Sequence, residues 1–394
     1  MSAGHSERTP RLEANGAAAG AGAAGGQPAA APGGTRAAAE RGSEGAPGGD
    51  AGGAARGEPS REQRLAAAFV PPMPGVLEAA PRTGRRRLLI TGISGGLGKV
   101  VFRQLRERKH DVDIVGLARS PLHDVFRGEV EMHVVDLTQN RAEDVFREGE
   151  FDTVVHLAFE DDPRRPAAER YKGNVIGTMR LLDWCARYAV RKVVVATSAM
   201  VYGAHPDNPT LIDEDMPTRA DQNWSMLRDL VEADRYVVAW MWKYPEVETT
   251  LLRPVHVLGP TVASAFQFYL TRPLVPVIAG FDPMTQVVHE QDVARAVVLA
   301  VDSEAWGVFN IVGPGALPVQ EILEQIGAEV APLSTTAVRA LFHALWRLKL
   351  VPLSPHLVDF LRYPLVVSGD KAEQQLGYRP RIPLADTLAS VRWR

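Results

Sequence analysis

Residues 87–98 read Arg87-Leu88-Leu89-Ile90-Thr91-Gly92-Ile93-Ser94-Gly95-Gly96-Leu97-Gly98, an apolar run that breaks into glycines spaced Gly-x-x-Gly-x-x-Gly. The run reads as a buried strand, and the segment 99–108 that follows reads as a helix. Strand, glycine turn and helix in this order form a cradle for a dinucleotide pyrophosphate. Gly92 permits the tight turn, Gly95 lets backbone N–H groups approach the phosphates, and Gly98 lets the helix pack close. The helix N-terminus adds partial positive charge.

Beyond the turn, strand-like and helix-like segments alternate. Strands are predicted at 113–117, 130–135, 153–157, 192–196 and 249–252, and helices at 142–148, 174–188 and 226–242. Apolar strands alternating with helices imply an α/β fold, a doubly wound parallel sheet with helices on both faces. Ligands then collect beyond the carboxyl ends of the strands, so the residues just after each strand are the candidates.

In the first 60 residues, 18 are Ala, 15 Gly and 5 Pro, with almost no aliphatic or aromatic anchors. Such a composition cannot bury enough apolar surface to offset its ordering entropy, which predicts a disordered Ala/Gly-rich tail over 1–84. Glu7, Glu13, Glu40 and Glu44 argue against an acid-poor transit peptide. A net charge of −3 gives no reason to invoke nucleic acid. The single cysteine, Cys185, excludes an internal disulfide and fits a cytoplasmic protein. There is no metal-ligand spacing among the ten histidines and no apolar run of transmembrane length.

After the second strand comes Val115-Gly116-Leu117-Ala118-Arg119. An acidic residue there would repel a 2′-phosphate, whereas Arg119 offers a bidentate donor, so the cofactor is NAD(P) with NADP favoured. Asp136 and Leu137 end the third strand, where the carboxylate can accept from an adenine amino group. Leu157 and Ala158 end the fourth, where small residues let backbone meet the cofactor. His156, inside an apolar strand, reads as a satisfied core residue.

In this order these motifs resemble the extended short-chain dehydrogenase/reductases, in particular the NAD-dependent epimerase/dehydratases that act on nucleotide sugars. The match takes in Thr91 to Gly98, Asp136-Leu137, His156-Leu157-Ala158, Asn174 to Thr178, Thr197 to Gly203, Arg253 to Pro260 and Val288 to Ala294. It spans about residues 86 to 392. The resemblance implies a Rossmann-type domain over 85–260 and 285–312, and a smaller substrate-binding domain over 261–284 and 313–394. It implies a small-molecule substrate, with a nucleotide sugar as one candidate, and a homodimer. Leu97, Asn174, Pro254 and Val255 then join the cofactor side, and Ser198, Tyr202 and His256 the substrate side. Ser198 matches the hydroxyl that bonds the substrate oxygen.

The resemblance breaks at the proton-transfer pair. In a Tyr-x-x-x-Lys-x-x-x-Glu frame registered on Glu232, Trp224 stands for the tyrosine and Arg228 for the lysine. An indole N–H has no accessible lone pair and cannot act as a base. Arg228 can still donate to ribose hydroxyls but stays charged. The string Tyr188 to Lys192 satisfies Tyr-x-x-x-Lys but precedes the fifth strand, at the wrong end of the sheet. Substitute bases nearer the site are Tyr202, His205, Asp207 and Asp221. Three readings stay open: a dinucleotide-binding family member with altered chemistry, an active oxidoreductase or epimerase with another proton-transfer group, and a non-catalytic scaffold or redox sensor. The basic amphipathic stretch 338–349 is predicted to pack its apolar face on the smaller domain.

Overall fold

A computed structural model describes residues 86–108, 112–122, 130–160, 165–220 and 223–391. The tail predicted over 1–84 and Asp221 lie outside the described residues.

Seven parallel strands make the central sheet. In chain order they are β1 (Arg86–Thr91), β2 (Val112–Ala118), β3 (Glu131–Val134), β4 (Thr153–His156), β5 (Lys192–Ala196), β6 (Glu248–Pro254) and, after four short strands outside the sheet, β11 (Gly307–Ile311). Their spatial order is β11-β6-β5-β4-β1-β2-β3. Order therefore reverses between β1 and β4, whose chains run on to opposite sides and leave a crevice beyond their carboxyl ends.

Both faces of the sheet are covered, and β1 shows why its run is uninterruptedly apolar. Leu88 and Ile90 face one core, lined by Val100, Val101 and Leu105 of α1 (Gly96–Arg108). The same core takes Val297 and Val298 of α7 (Glu290–Asp302). Leu89 faces the other core, with Phe146 of α2 (Arg141–Gly149), Leu181 of α4 (Gly177–Arg187) and Val237 of α5 (Ser225–Lys243). Each such side chain contributes about 1.5–3 kcal/mol through removal from water.

The element predicted as one helix over 174–188 starts within a π turn (Lys172–Ile176) and continues as α4, and the π turn is itself preceded by α3 (Ala167–Tyr171). The wider π turn sits at Asn174, where a sequence pattern of regular period carries no sign of it. Residues 262–286 hold α6 (Ala265–Leu270), β8 (Leu274–Ile278) and β9 (Met284–Thr285), while β7 (His256–Leu258) pairs in parallel with β10 (Val287–His289). Farther on, β12 (Leu317–Pro318) pairs with β9, and α8 (Val319–Ile326) leads to β13 (Glu329–Leu333), which pairs with β8. The amphipathic helix α9 is Thr335–Arg347, capped by Ser334, whose hydroxyl accepts from the Ala337 N–H. Its Val338 and Phe342 join the same core as Leu88, whereas Leu341 is exposed. A 3₁₀ segment (Pro355–Leu361), α10 (Asp370–Leu376) and α11 (Leu384–Ala389) complete the described chain. Among the described residues, no helix is long and apolar enough to cross a membrane.

Gly92 takes φ +74°, and a Cβ there would lie 2.8 Å from the Ala158 backbone. Gly92→Ala is therefore expected to lower the unfolding free energy by about 1–3 kcal/mol, read by urea denaturation.

Candidate functional site

The turn after β1 is closed by the Gly92 N–H donating to Leu117 O and the Gly95 N–H donating to Gly92 O, each at 2.9 Å. The left-handed φ at Gly92 turns the chain aside at once, and the next helix begins at Gly96. A Cβ on Gly98 would lie 2.3 Å from Gly92 O, and one on Gly96 2.2 Å from Thr261 O. Gly96 stands outside the Gly-x-x-Gly-x-x-Gly frame. Its need for glycine comes from a loop 165 residues away, which no local reading could show.

Two clefts of about 270 and 440 Å³ open beyond the strand ends and share Gly92, Gly95, Leu157, Phe159, Glu160 and Asn174. Arg119, Asp136, Leu137 and Ala158 line the smaller one. Asp136 Oδ1 accepts from the Thr138 N–H at 2.8 Å and its hydroxyl at 2.7 Å, which fixes the carboxylate at the rim. The Arg119 guanidinium is paired with Glu160, which also takes Arg165 Nε at 2.8 Å. Glu160 was no candidate from the sequence, since nothing local places an acid beside Arg119.

Asn174 clamps Glu160 from the π turn. Its Oδ1 accepts from the Glu160 N–H at 2.7 Å and its Nδ2 donates to Glu160 O at 2.9 Å. The Asn174 carbonyl in turn accepts from the Thr178 hydroxyl at 2.6 Å. That hydroxyl's one proton is thereby spent, so its contact of 2.9 Å with His156 Nε2 has the imidazole as donor. Nδ1 then accepts from the Thr91 hydroxyl at 2.6 Å. His156 is a neutral, fully satisfied core residue, and burial lowers its pKa to about 3.

Leu97, Ser198, Trp224, Pro254, Val255 and His256 line the larger cleft. Ser198 caps the 3₁₀ turn Ala199–Tyr202, accepting from the Met200 N–H at 3.2 Å and donating to Pro254 O at 3.4 Å. His256 stacks on Phe266 with ring centroids 4.0 Å apart, and burial lowers its pKa to about 4. Trp224 lies between His356, stacked at 6.4 Å, and Phe360, edge-on at 6.3 Å. Among the described residues that line this cleft, Glu160 and His256 carry the acidic and imidazole side chains, and no lysine, arginine or tyrosine is present.

The sequence pattern of the NAD dependent epimerase/dehydratase family matches residues 88–312. The chain belongs to that family. A protein of Mycobacterium tuberculosis without a characterised activity is 30% identical over 300 residues, 75% of this chain and 80% of its own. The UDP-glucose 4-epimerase of Corynebacterium glutamicum is 25% identical over 342 residues, covering 78% of this chain and 94% of that enzyme. Among solved structures, MoeE5 in complex with UDP-glucuronic acid and NAD superposes with a TM-score of 0.60 at 24% identity, covering 77% of this chain and 97% of that one. That likeness carries the Rossmann-type fold.

Two candidates do not reach the cleft of this family member. Tyr202 is fully buried behind it, its hydroxyl donating to Asn310 Oδ1 at 2.9 Å and accepting from Arg253 Nη1 at 2.8 Å. Burial pushes its pKa up to about 12 against the pull of Arg253. Arg253 itself is locked to Asp234, Nε to Oδ2 at 3.0 Å, and Asp234 also accepts from the Thr197 hydroxyl. Tyr202 is thus part of a buried ionic network and is withdrawn from the substrate side. Arg228 lines neither cleft. Its guanidinium turns to Asp229 Oδ1 at 2.9 Å and lies 6.0 Å above the Tyr171 ring, while Glu232 accepts from the Tyr171 hydroxyl. A buried carboxylate next in sequence outcompetes a half-open cleft for a cation.

The other substitutes are also elsewhere. His205 contacts Arg219 O, and Asp207 pairs with Arg219 on the surface. Tyr188 donates to Glu143, and Lys192 is buried against Glu248 and Ser303 O at the amino-terminal edge of β5, so that string is structural.

The unfolded chain protonates His156 near pH 6.5 and the folded chain only near 3. Stability is therefore full above pH 6.5 and falls as pH drops through that window, at up to about 1.4 kcal/mol per pH unit from this group. His156→Gln, whose amide can keep both bonds, is expected to flatten that part of the urea-denaturation profile between pH 7 and 4.5.

Proposed function

We propose that the two clefts hold one nicotinamide dinucleotide, adenosine half in the smaller and nicotinamide half in the larger, without the phenol and ammonium pair of the family. The observation that carries this reading is the glycine cradle. A Cβ at Gly92 or Gly98 would occupy backbone space, while Gly92 and Gly95 line both clefts and the start of α1 lines the larger. Backbone N–H groups and the helix terminus are suited to a pyrophosphate. Asp136 and Leu137 would flank the adenine, Leu97, Pro254 and Val255 the nicotinamide. The cofactor, when bound, supplies a hydride donor or acceptor.

On this reading Trp224 fills the tyrosine's place with an apolar wall and moves no proton. Arg228 is spent on Asp229, so no lysine-like cation holds the ribose. Ser198 offers its hydroxyl to a substrate oxygen. A second reading, turnover with a substitute group, rests on His256, the one imidazole on this cleft. With its pKa near 4 it is a neutral acceptor at pH 7 and a weak base. Loss of nicotinamide-linked turnover in His256→Gln, with dinucleotide affinity retained, would favour it.

Glu160 beside Arg119 revises the cofactor preference. Its carboxylate competes with a 2′-phosphate for the guanidinium, which weakens the preference for NADP expected from Arg119 alone, although Arg165 on the same carboxylate leaves the cluster with two cations to one anion.

Calorimetry of the full chain tests the proposal. NADH is expected to bind saturably, and Gly95→Leu to weaken it by about tenfold or more by filling the phosphate cradle. Binding of neither NADH nor NADPH at millimolar concentration would overturn it. Glu160→Gln is expected to raise NADPH affinity relative to NADH by about tenfold, since it frees Arg119 and Arg165 for a 2′-phosphate.

A further inference from the structure

We infer that the larger cleft takes an uncharged, largely apolar ligand carrying a single carbonyl or hydroxyl oxygen, in place of a sugar diphosphate. This deepens the reading above and rests on it. The first ground is charge. No lysine or arginine lines the larger cleft among its described residues, and its one carboxylate, Glu160, stands at the boundary with the smaller cleft. Arg119 and Arg165 are committed to Glu160, and Arg228 to Asp229. A diphosphate brought into such a cleft would carry negative charge out of water with no partner, which is strongly disfavoured.

The second ground is that most polar side chains on the wall are satisfied internally, the Trp224 indole N–H being the exception among the described residues. The Thr197 hydroxyl donates to Asp234 at 2.8 Å and the Thr261 hydroxyl to Glu290 at 2.8 Å. Ser264 caps α6, accepting from the Gln267 N–H at 3.1 Å, and Asn174 spends its amide on the Glu160 backbone. What these groups leave facing the space is Met200, Trp224, Met226, Leu230, Val257 and Phe266. A sugar ring with several hydroxyls would find few partners there, and each unmet hydroxyl counts against binding.

The third ground is where polarity remains. Ser198 follows β5 and His256 opens β7, with Pro254 O, the acceptor of the Ser198 hydroxyl, between them in sequence. The long 3.4 Å bond from Ser198 to Pro254 O is readily exchanged for a better acceptor. The neutral imidazole of His256 can donate or accept. One oxygen can be recognised at this end while the rest of the ligand lies on the apolar wall. A cavity of about 440 Å³ shared with a nicotinamide ring suits a compact molecule.

The probes are Nile red, an uncharged apolar fluorophore, with 2-decanone and UDP-glucose as competitors, on the full chain with and without NADH. Nile red is expected to bind saturably, to be displaced by 2-decanone and to be unaffected by UDP-glucose at the same concentration. Met226→Lys is expected to weaken Nile red by about tenfold or more. Leu230→Lys serves as a second variant should the first not fold, with cooperative urea unfolding as the check on each. Displacement by UDP-glucose at lower concentration than 2-decanone would overturn the inference. So would absence of Nile red binding, or an affinity unmoved by the folded lysine variants. NADH binding with no apolar binding removes this inference alone. Cleft-dependent Nile red binding with no dinucleotide binding removes the cofactor reading and keeps the apolar cleft.

Discussion

The site is built on a close approach of two backbones at the point where strand order reverses. Beyond the carboxyl ends of β1 and β4, Gly92 passes so near Leu157 and Ala158 that there is no room for even a methyl group. That approach permits the left-handed turn, the turn aims α1 at the crevice, and the crevice exists because β1 and β4 lead to opposite sides of the sheet. Loosening this contact would disturb the cradle, the mouth of both clefts and the packing of α1 together. The apolar faces of β1 hold the arrangement from both sides, with Leu88 and Ile90 in one core and Leu89 in the other.

The two clefts that meet at Gly95 differ in chemistry. The smaller is charged and rigid at its rim, where Arg119, Glu160, Arg165 and Asp136 are fixed by ion pairs and an Asx turn. The larger is apolar, its hydroxyls and amides turned into the structure. A dinucleotide places its pyrophosphate between an adenosine half and a nicotinamide riboside half, and the glycine turn lies where the two clefts meet. The buried group formed by Thr197, Asp234, Arg253 and Tyr202 lies behind the larger cleft and holds the ends of β5 and β6 together without presenting charge to the cleft.

The parts legible in the sequence are those decided by neighbours in the chain. Leu88 to Ile90 followed by Gly92 specify a buried strand and a turn, and the alternation of strands and helices specifies the parallel sheet. Placement of Asp136, Leu157, Pro254 and Val255 at strand ends follows from the same logic. What could not be read depends on contacts across long separations. Gly96 is required by Thr261, and Glu160 becomes a site residue only because Asn174 grips its backbone from a π turn. Arg228 keeps the helical spacing of a cofactor ligand, yet side-chain direction is set by the competition between Asp229 and the cleft. Tyr202 follows the serine on a 3₁₀ turn that rotates its ring inward, toward Arg253 and Asn310.

Trp224 ties one wall of the larger cleft to a distant part of the chain. Its indole is 4% exposed and is held between two rings, His356 and Phe360, that the chain supplies more than a hundred residues later. Those rings pack for an indole. A phenol placed among them would leave a void, and the loss of close packing would fall on the segment Pro355–Leu361 as well as on α5. The indole and the segment Pro355–Leu361 are thus coupled, and a smaller ring at 224 calls for a compensating change more than a hundred residues away.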